Sequence, residues 1–293
     1  MINPIIVNKE KCSGCQACID VCPRDCFFLD SNEKSVFESK LCHSCGHCIS
    51  ICPENAITHS FFPLEEYSTI TDNLDENIVD ASQLFFLLKS IRSTRKYKTR
   101  KIEKEILEKL VDISRLAPTG HHSQNVEMVV VYNTNNIEQL KEEVAKAFRD
   151  FLKKIDNPLF RFLGRLFGKG ESIRKAQQSR ARFTRMLSGF KVGKDFLFHD
   201  APVVIVFHAK KKSTVPLENC TIASTYMRIV AHGFNLGSCY IGYLVYAAKY
   251  NSKILQILNI PEGNEIFQVM VLGYPKHKFK TFVARNEAKV LWK

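Results

Sequence analysis

Two runs of cysteine constrain this chain more than any other feature. Cys12, Cys15, Cys18 and Cys22 are followed by Pro23; Cys42, Cys45, Cys48 and Cys52 repeat the spacing, followed by Pro53, thirty residues later. Nine of the eleven cysteines lie between Cys12 and Cys52, and only Cys220 and Cys239 lie beyond. The odd total and the tight spacings favour metal ligation over disulfides. Structural zinc prefers paired Cys-x-x-Cys hooks around one tetrahedral ion. A third cysteine at the same short spacing, then Cys-Pro, repeated twice, suits instead the corners of a compact iron–sulfur cubane. Each half is too small for a core of its own and would have to pack around inorganic clusters. Cys26, outside the pattern, reads as a small core residue. His43 and His47 read as surface residues or hydrogen-bond donors to sulfur.

Residues 5–60 closely resemble bacterial-type two-[4Fe–4S] ferredoxins. In that family the fourth cysteine of each run ligates the other run's cluster. The resemblance implies one cluster on Cys12, Cys15, Cys18 and Cys52 and a second on Cys42, Cys45, Cys48 and Cys22, together forming a low-potential electron wire.

The rest of the chain is ordinary globular protein by composition, 45% hydrophobic and 25% charged. No apolar run reaches the ~20 residues of a membrane-spanning helix. Met1-Ile2-Asn3-Pro4 has neither a basic head nor an apolar stretch, so a cytoplasmic setting is expected, and the expected iron–sulfur clusters imply an anaerobic one. Residues 62–82, with Glu65, Glu66, Asp72, Asp75, Glu76 and Asp80, read as an acidic linker between a first domain (1–61) and a second (83–293). Periodicity predicts helices over 84–90, 104–116, 137–152, 172–187, 222–234 and 252–258. Strands are expected at 126–131, 203–207 and 267–272. No Gly-x-Gly-x-x-Gly follows a strand, so a Rossmann dinucleotide domain is not indicated.

Arg92-Ser93-Thr94-Arg95 places two guanidiniums and hydroxyls where they can grip a phosphate. Downstream come Ala117-Pro118-Thr119-Gly120-His121-His122-Ser123-Gln124, then Gly233 to Gly242, Leu272-Gly273-Tyr274-Pro275-Lys276 and Arg285. In this order the segments resemble the FMN-dependent nitroreductase family over about residues 83–293. The resemblance implies an α+β protein: a small two-cluster ferredoxin domain followed by a nitroreductase-like mixed α/β sandwich. It implies that Arg92, Ser93, Arg95 and Arg285 bind the FMN phosphate. Thr119, His121, His122 and Gln124 would line the flavin, and the backbone of Ile241 and Gly242 would donate to its ring. Two positions depart from the family: His122 replaces its usual asparagine, and Asn125-Val126 its Pro-Trp. His122 thereby becomes a candidate proton donor, as do Tyr240 and Tyr243. Packing and hydrogen bonding is the plainer reading of either histidine, and small buried residues the plainer reading of Cys220 and Cys239.

Residues 146–194 interleave basic residues (Lys146, Arg149, Lys153, Lys154, Arg161, Arg174, Lys175, Arg180 and others) with Phe148, Phe151, Phe160, Phe162 and Phe167. They read as a lid-like insertion, with a membrane-surface helix as the alternative. The net charge of +12 suits the FMN phosphate and an acidic ferredoxin or flavodoxin. No nucleic-acid-binding signature is present. The resemblance further implies a homodimer with FMN at its interface. The expected chemistry passes electrons between the two [4Fe–4S] clusters and FMN to reduce a small electron-poor molecule, nitroaromatic or quinone-like, with ferredoxin or NAD(P)H as donor. The alternative is an electron-transfer subunit that relays electrons to a partner complex.

Overall fold

A computed structural model describes residues 4–38, 41–62, 79–168 and 170–293. The acidic stretch expected as a linker lies outside the described residues between 63 and 78, as does Lys169 of the basic segment. The chain forms two units: one of Met1–Val79 with Gly120–Ser123, the other of Asp80–Thr119 with Gln124–Lys293.

The first unit is a doubled motif. Strand β1 (Ile5–Val7) pairs antiparallel with β4 (Ile57–His59), and β2 (Phe27–Leu29) with β3 (Ser35–Phe37). Each cysteine run opens into a short helix, α1 (Ala17–Asp20) or α2 (His47–Ile51), that carries its third cysteine. The chain must bend sharply to bring three thiols to one side, and the bend recurs in the backbone. Left-handed φ values occur in pairs thirty residues apart: 74° at Gly14 and 52° at Ser44, 65° at Gln16 and 76° at Gly46, 50° at Asp25 and 47° at Asn55. At Gly14 a Cβ would also fall 2.4 Å from the Glu33 carbonyl oxygen, so glycine is required twice over. The small core is Ile5, Phe27, Phe37 and Ile57, with Cys18, Cys26 and Cys48.

The second unit is built on a four-stranded antiparallel sheet of order β5-β6-β8-β7: Glu127–Val131, Val203–Lys210, Asn264–Gly273 and Gly237–Tyr240. Strand β6 is apolar from Val203 to Phe207 because both its faces are covered there. Val203, Ile205 and Phe207 meet Leu107 and Leu110 of α4 (Lys104–Arg115) and Cys220, Ala223 and Met227 of α9 (Pro216–Gly233). Val204 and Val206 face Leu140, Val144 and Phe148 of α5 (Thr134–Asp156), Leu244 of α10 (Gly242–Ala248) and Ile254 of α11 (Ser252–Ile257). The period-two alternation of a strand thus serves two cores.

Capping decides where several helices start. α3 (Ala81–Ser90) begins three residues before its periodic stretch, because the Asp80 carboxylate accepts from the Ser82 amide at 3.2 Å. α5 likewise begins early, with Asn133 Oδ1 accepting from the amides of Asn135 and Asn136. The basic segment becomes the end of α5, then α6 (Pro158–Leu166), α7 (Gly170–Gln178) and α8 (Arg180–Lys191). The single helix expected over 172–187 is therefore two helices, with a break at Ser179.

Two features leave apolar surface uncovered. α3 buries none of its residues, and Phe85 and Phe86 are 64% and 63% exposed. After β8 the chain runs on to Lys293 without a helix or strand, exposing Phe279, Phe282, Leu291 and Trp292. Phe86 and Phe282 touch edge to face, ring centroids 5.4 Å apart. No helix among the described residues is long and apolar enough to cross a membrane.

Candidate functional site

The eight repeated cysteines surround two hollows in the first unit. Cys12, Cys15, Cys18 and Cys52 wall one of about 320 Å³, together with Gly14, Ser35 and Ile57. Cys42, Cys45, Cys48 and Cys22 wall another of about 380 Å³, with Ile5, Arg24, His43 and His47. Each hollow takes three thiols from one run and the fourth from the other. The thiols ring a space rather than converge on a point: no group of three His, Cys, Asp or Glu among the described residues could hold a single ion. That donor set fits a polynuclear cluster better than zinc.

The backbone supports this fit, because its amides point at sulfur. The Cys26 amide donates to Cys22 Sγ at 3.4 Å and the Ala56 amide, thirty residues on, to Cys52 Sγ at 3.3 Å. Ser35 N–H reaches Cys12 Sγ at 3.5 Å and Ser44 N–H reaches Cys42 Sγ at 3.4 Å. Such donors stabilise thiolates and orient them. Burial raises the Cys18 thiol and pushes Cys48 up to about 12, with Cys42 and Cys45 adding to the latter. A cation beside these sulfurs would favour their thiolate form. Cys26 and Ala56 are equivalent in the repeat and are 1% and 2% exposed, so Cys26 occupies a small-residue position. His43 accepts a hydrogen bond from Arg24 Nε at 2.8 Å. Burial, then the charges of Arg24 and His121, lowers its pKa.

In the second unit, Arg92 to Lys98 runs beside the sheet. Ser93 bridges Ser238 of β7, Thr94 N–H donates to the Ser238 carbonyl at 2.8 Å, and Lys98 N–H donates to the Tyr274 carbonyl at 2.8 Å. This approach requires Gly237, where a Cβ would lie 2.4 Å from Thr94 Oγ1. Tyr97 is anchored by its hydroxyl donating to the Thr94 carbonyl at 2.6 Å. Arg100 donates to Glu103 at 2.5 Å, and Tyr274 OH donates to the same carboxylate at 2.6 Å, holding Glu103 down to about 2. Arg92 and Arg95 make no ion pair among the described residues. The donor set fits a phosphate group.

The other expected flavin contacts fare unevenly. The Ile241 amide is already engaged by the Val269 carbonyl at 2.8 Å, so it is not free to donate to a flavin ring. Arg285 lies exposed in the C-terminal tail, with no hydrogen bond or ion pair among the described residues bringing it to Arg92 or Arg95. Thr119 Oγ1 accepts from the Gln124 amide at 3.0 Å, closing the turn. His121, His122 and Gln124 have φ values of 54°, 51° and 43°. His121 and His122 group with the first unit, where their rings lie 5.2 Å from His43 and 6.0 Å from Phe62. Burial lowers the pKa of His122, with the charge of His47 acting in the same direction.

Tyr243 packs edge to face on Phe148 at 5.5 Å, whereas Tyr240 OH lies 3.2 Å from Ser224 Oγ and 3.3 Å from Thr225 Oγ1. Cys220 and Cys239 are buried in the two cores. Sequence reasoning missed Ser35 and the strand β7 that seats Ser93. Ser35 was readable only through its place in the thirty-residue repeat.

The nitroreductase family model matches residues 88–274, and the 4Fe-4S dicluster domain model matches residues 4–53. A putative NADH dehydrogenase/NAD(P)H nitroreductase of Archaeoglobus fulgidus is 25% identical over 190 residues, 63% of this chain and 81% of that protein. The crystal structure of a nitroreductase with bound FMN from Bacteroides fragilis has a similar fold, with TM-score 0.54, 19% identity, and coverage of 73% of this chain and 98% of that one. A nitroreductase with bound FMN from Desulfitobacterium hafniense gives TM-score 0.55 and 17% identity, over 73% of this chain and 99% of the other.

Proposed function

The chain belongs to the nitroreductase family and carries an N-terminal 4Fe-4S dicluster domain, and from that premise we propose that it is an iron–sulfur flavoprotein reducing a small, flat, electron-poor molecule such as a nitroaromatic or a quinone. The observation that carries the proposal is the pair of four-thiol hollows in a chain whose nitroreductase fold also carries Arg92 and Arg95 without an ion pair among the described residues. Cys12, Cys15, Cys18 and Cys52 would hold one [4Fe–4S] cluster, and Cys22, Cys42, Cys45 and Cys48 the other. Arg92, Ser93 and Arg95 would bind the FMN phosphate, and the Gly242 amide would face the ring. Bound FMN accepts electrons singly and delivers them in pairs, as the chemistry of a two-electron reduction demands. Burial lowers the pKa of His122 and so favours the neutral ring, which suits it to accept or donate a hydrogen bond.

The apolar faces of α3 and the C-terminal tail support a homodimer. In the segment 146–194, fourteen lysines and arginines stand against Asp150, Asp156 and Glu171. That imbalance supports an acidic ferredoxin or flavodoxin as electron partner. The second reading, a relay subunit between ferredoxin or NAD(P)H and a larger complex, draws on the same wire.

The test is anaerobic reduction of the reconstituted full chain, following flavin and cluster absorbance. Rapid bleaching by reduced ferredoxin, reversed by a nitroaromatic, is the expected result. Bleaching of flavin first by NADH or NADPH would make the nicotinamide the donor. Reduction without turnover on any small acceptor would favour the relay.

A further inference from the structure

The thirty-residue repeat provides its own control experiment. Adding thirty to the residues of β1 and β2 gives those of β3 and β4, and the pairing register follows: Ile5↔His59 corresponds to Ser35↔Leu29, and Val7↔Ile57 to Phe37↔Phe27. Ile5 and Ser35 therefore hold the same place in the two halves. Both are buried, at 4% and 2% exposure, and each lines its own hollow.

What they present to sulfur differs. Ser35 Oγ lies 3.1 Å from Cys18 Sγ, and the Ser35 amide reaches Cys12 Sγ in the same hollow. The Ile5 side chain has only methyl and methylene groups to offer. A metal-bound thiolate has no proton to give, so the hydroxyl must be the donor. Reduction adds negative charge to a cluster, and a donor to its sulfur stabilises that charge.

Resting on the reading that these thiols hold clusters, we propose that Ser35 makes the two clusters unequal. Its hydroxyl donates to the Cys18 thiolate and raises the reduction potential of the cluster on Cys12, Cys15, Cys18 and Cys52 above that of its twin, so the first electron to enter the pair settles there. Nearby charges do not reverse this order. Lys9 is paired with Asp30 at 2.7 Å, and Lys34 Nζ donates to the Cys12 carbonyl. Beside the other hollow, Arg24 is turned onto His43. Lys9, Lys34 and Arg24 are in contact with water, which screens them, whereas the hydroxyl is desolvated and touches the sulfur.

The test is an anaerobic redox titration of the reconstituted full-length protein, monitored by electron paramagnetic resonance, after iron and sulfide analysis. The wild type should show two separated midpoints. Ser35→Ala should lower the higher midpoint and leave the other in place, while Ser35→Thr, which keeps the hydroxyl, should stay near wild type. Ile5→Ser should raise the lower midpoint, and it carries the test if Ser35→Ala fails to assemble. Unchanged midpoints in an iron-replete Ser35→Ala protein would overturn the proposal, as would an equal shift in the threonine variant. A wild-type chain that takes up no iron or sulfide would instead refute the cluster reading itself, before any titration.

Discussion

Lys141 and Asp195 show how strongly single residues are committed in the second unit. Their side chains are 11% and 5% exposed and meet at 2.9 Å, while Asp195 also accepts from the amides of Leu197, Phe198 and Asp200. Burial alone would raise the Asp195 carboxyl, but the Lys141 contact and the amides outweigh it and hold the pKa below its usual value. The folded form thus binds its proton more weakly than the unfolded one. The stabilisation is complete above the unfolded value of about 3.9 and is lost as pH falls through the lower folded value. Wild-type melting temperature should fall faster than that of Asp195→Asn as pH drops below about 4. At neutral pH, Asp195→Ala should cost about 1–3 kcal/mol, since it leaves the amides of Leu197, Phe198 and Asp200 without their acceptor while Lys141 keeps Glu138 at 2.8 Å; denaturant titration measures this. At the proposed phosphate site, Arg92→Ala and Arg95→Ala should each weaken FMN binding roughly ten-fold or more, a charged hydrogen bond contributing about 1.5–3 kcal/mol. Fluorescence titration of the apoprotein with FMN reads the change. The grouping of the eight cysteines around two hollows was legible from spacing alone, because short gaps bring thiols of one run to one side of the chain. The Asp195 pair and the Glu103–Tyr274 bond were not, since nothing local marks a partner 54 or 171 residues away.

Among elements, long amphipathic helices and the apolar strands β6 and β8 announced themselves, because burial on one or both faces imprints a period. β7 did not. Gly237-Ser238-Cys239-Tyr240 was not among the expected strands, and becomes one by pairing with Met270 to Gly273 on one side while bridging Ser93 on the other. Tertiary contact overrode propensity there. Helix starts were misplaced for a simpler reason: a cap adds a turn of helix that carries no apolar signal. The uncovered face of α3 yields a prediction at this scale. The double substitution of Phe85 and Phe86 to Asp should convert a dimer to monomers by light scattering without lowering cluster content. A wild-type chain that is already monomeric would contradict the dimer.

For the molecule as a whole, charge is the organising quantity. Nearly all of the net +12 resides in the segment containing α6, α7 and α8, so the rest of the chain is close to balance. Docking of an acidic carrier should therefore depend steeply on ionic strength. Stopped-flow rates of reduction by ferredoxin should fall about ten-fold or more between low and physiological salt, and charge reversal at Lys153 and Arg174 should flatten the dependence. Rates with NADH or NADPH should move far less.

The exposed C-terminal tail carries one further consequence. Trp292 is the only tryptophan in the chain and is 89% exposed. A single indole in water is a built-in optical probe, emitting at long wavelength and open to collisional quenching by iodide. If a second copy closes over the tail, that emission should move to the blue and the quenching should fade with rising protein concentration. Self-association could then be followed in the unlabelled protein, away from the absorbance bands that report its redox state.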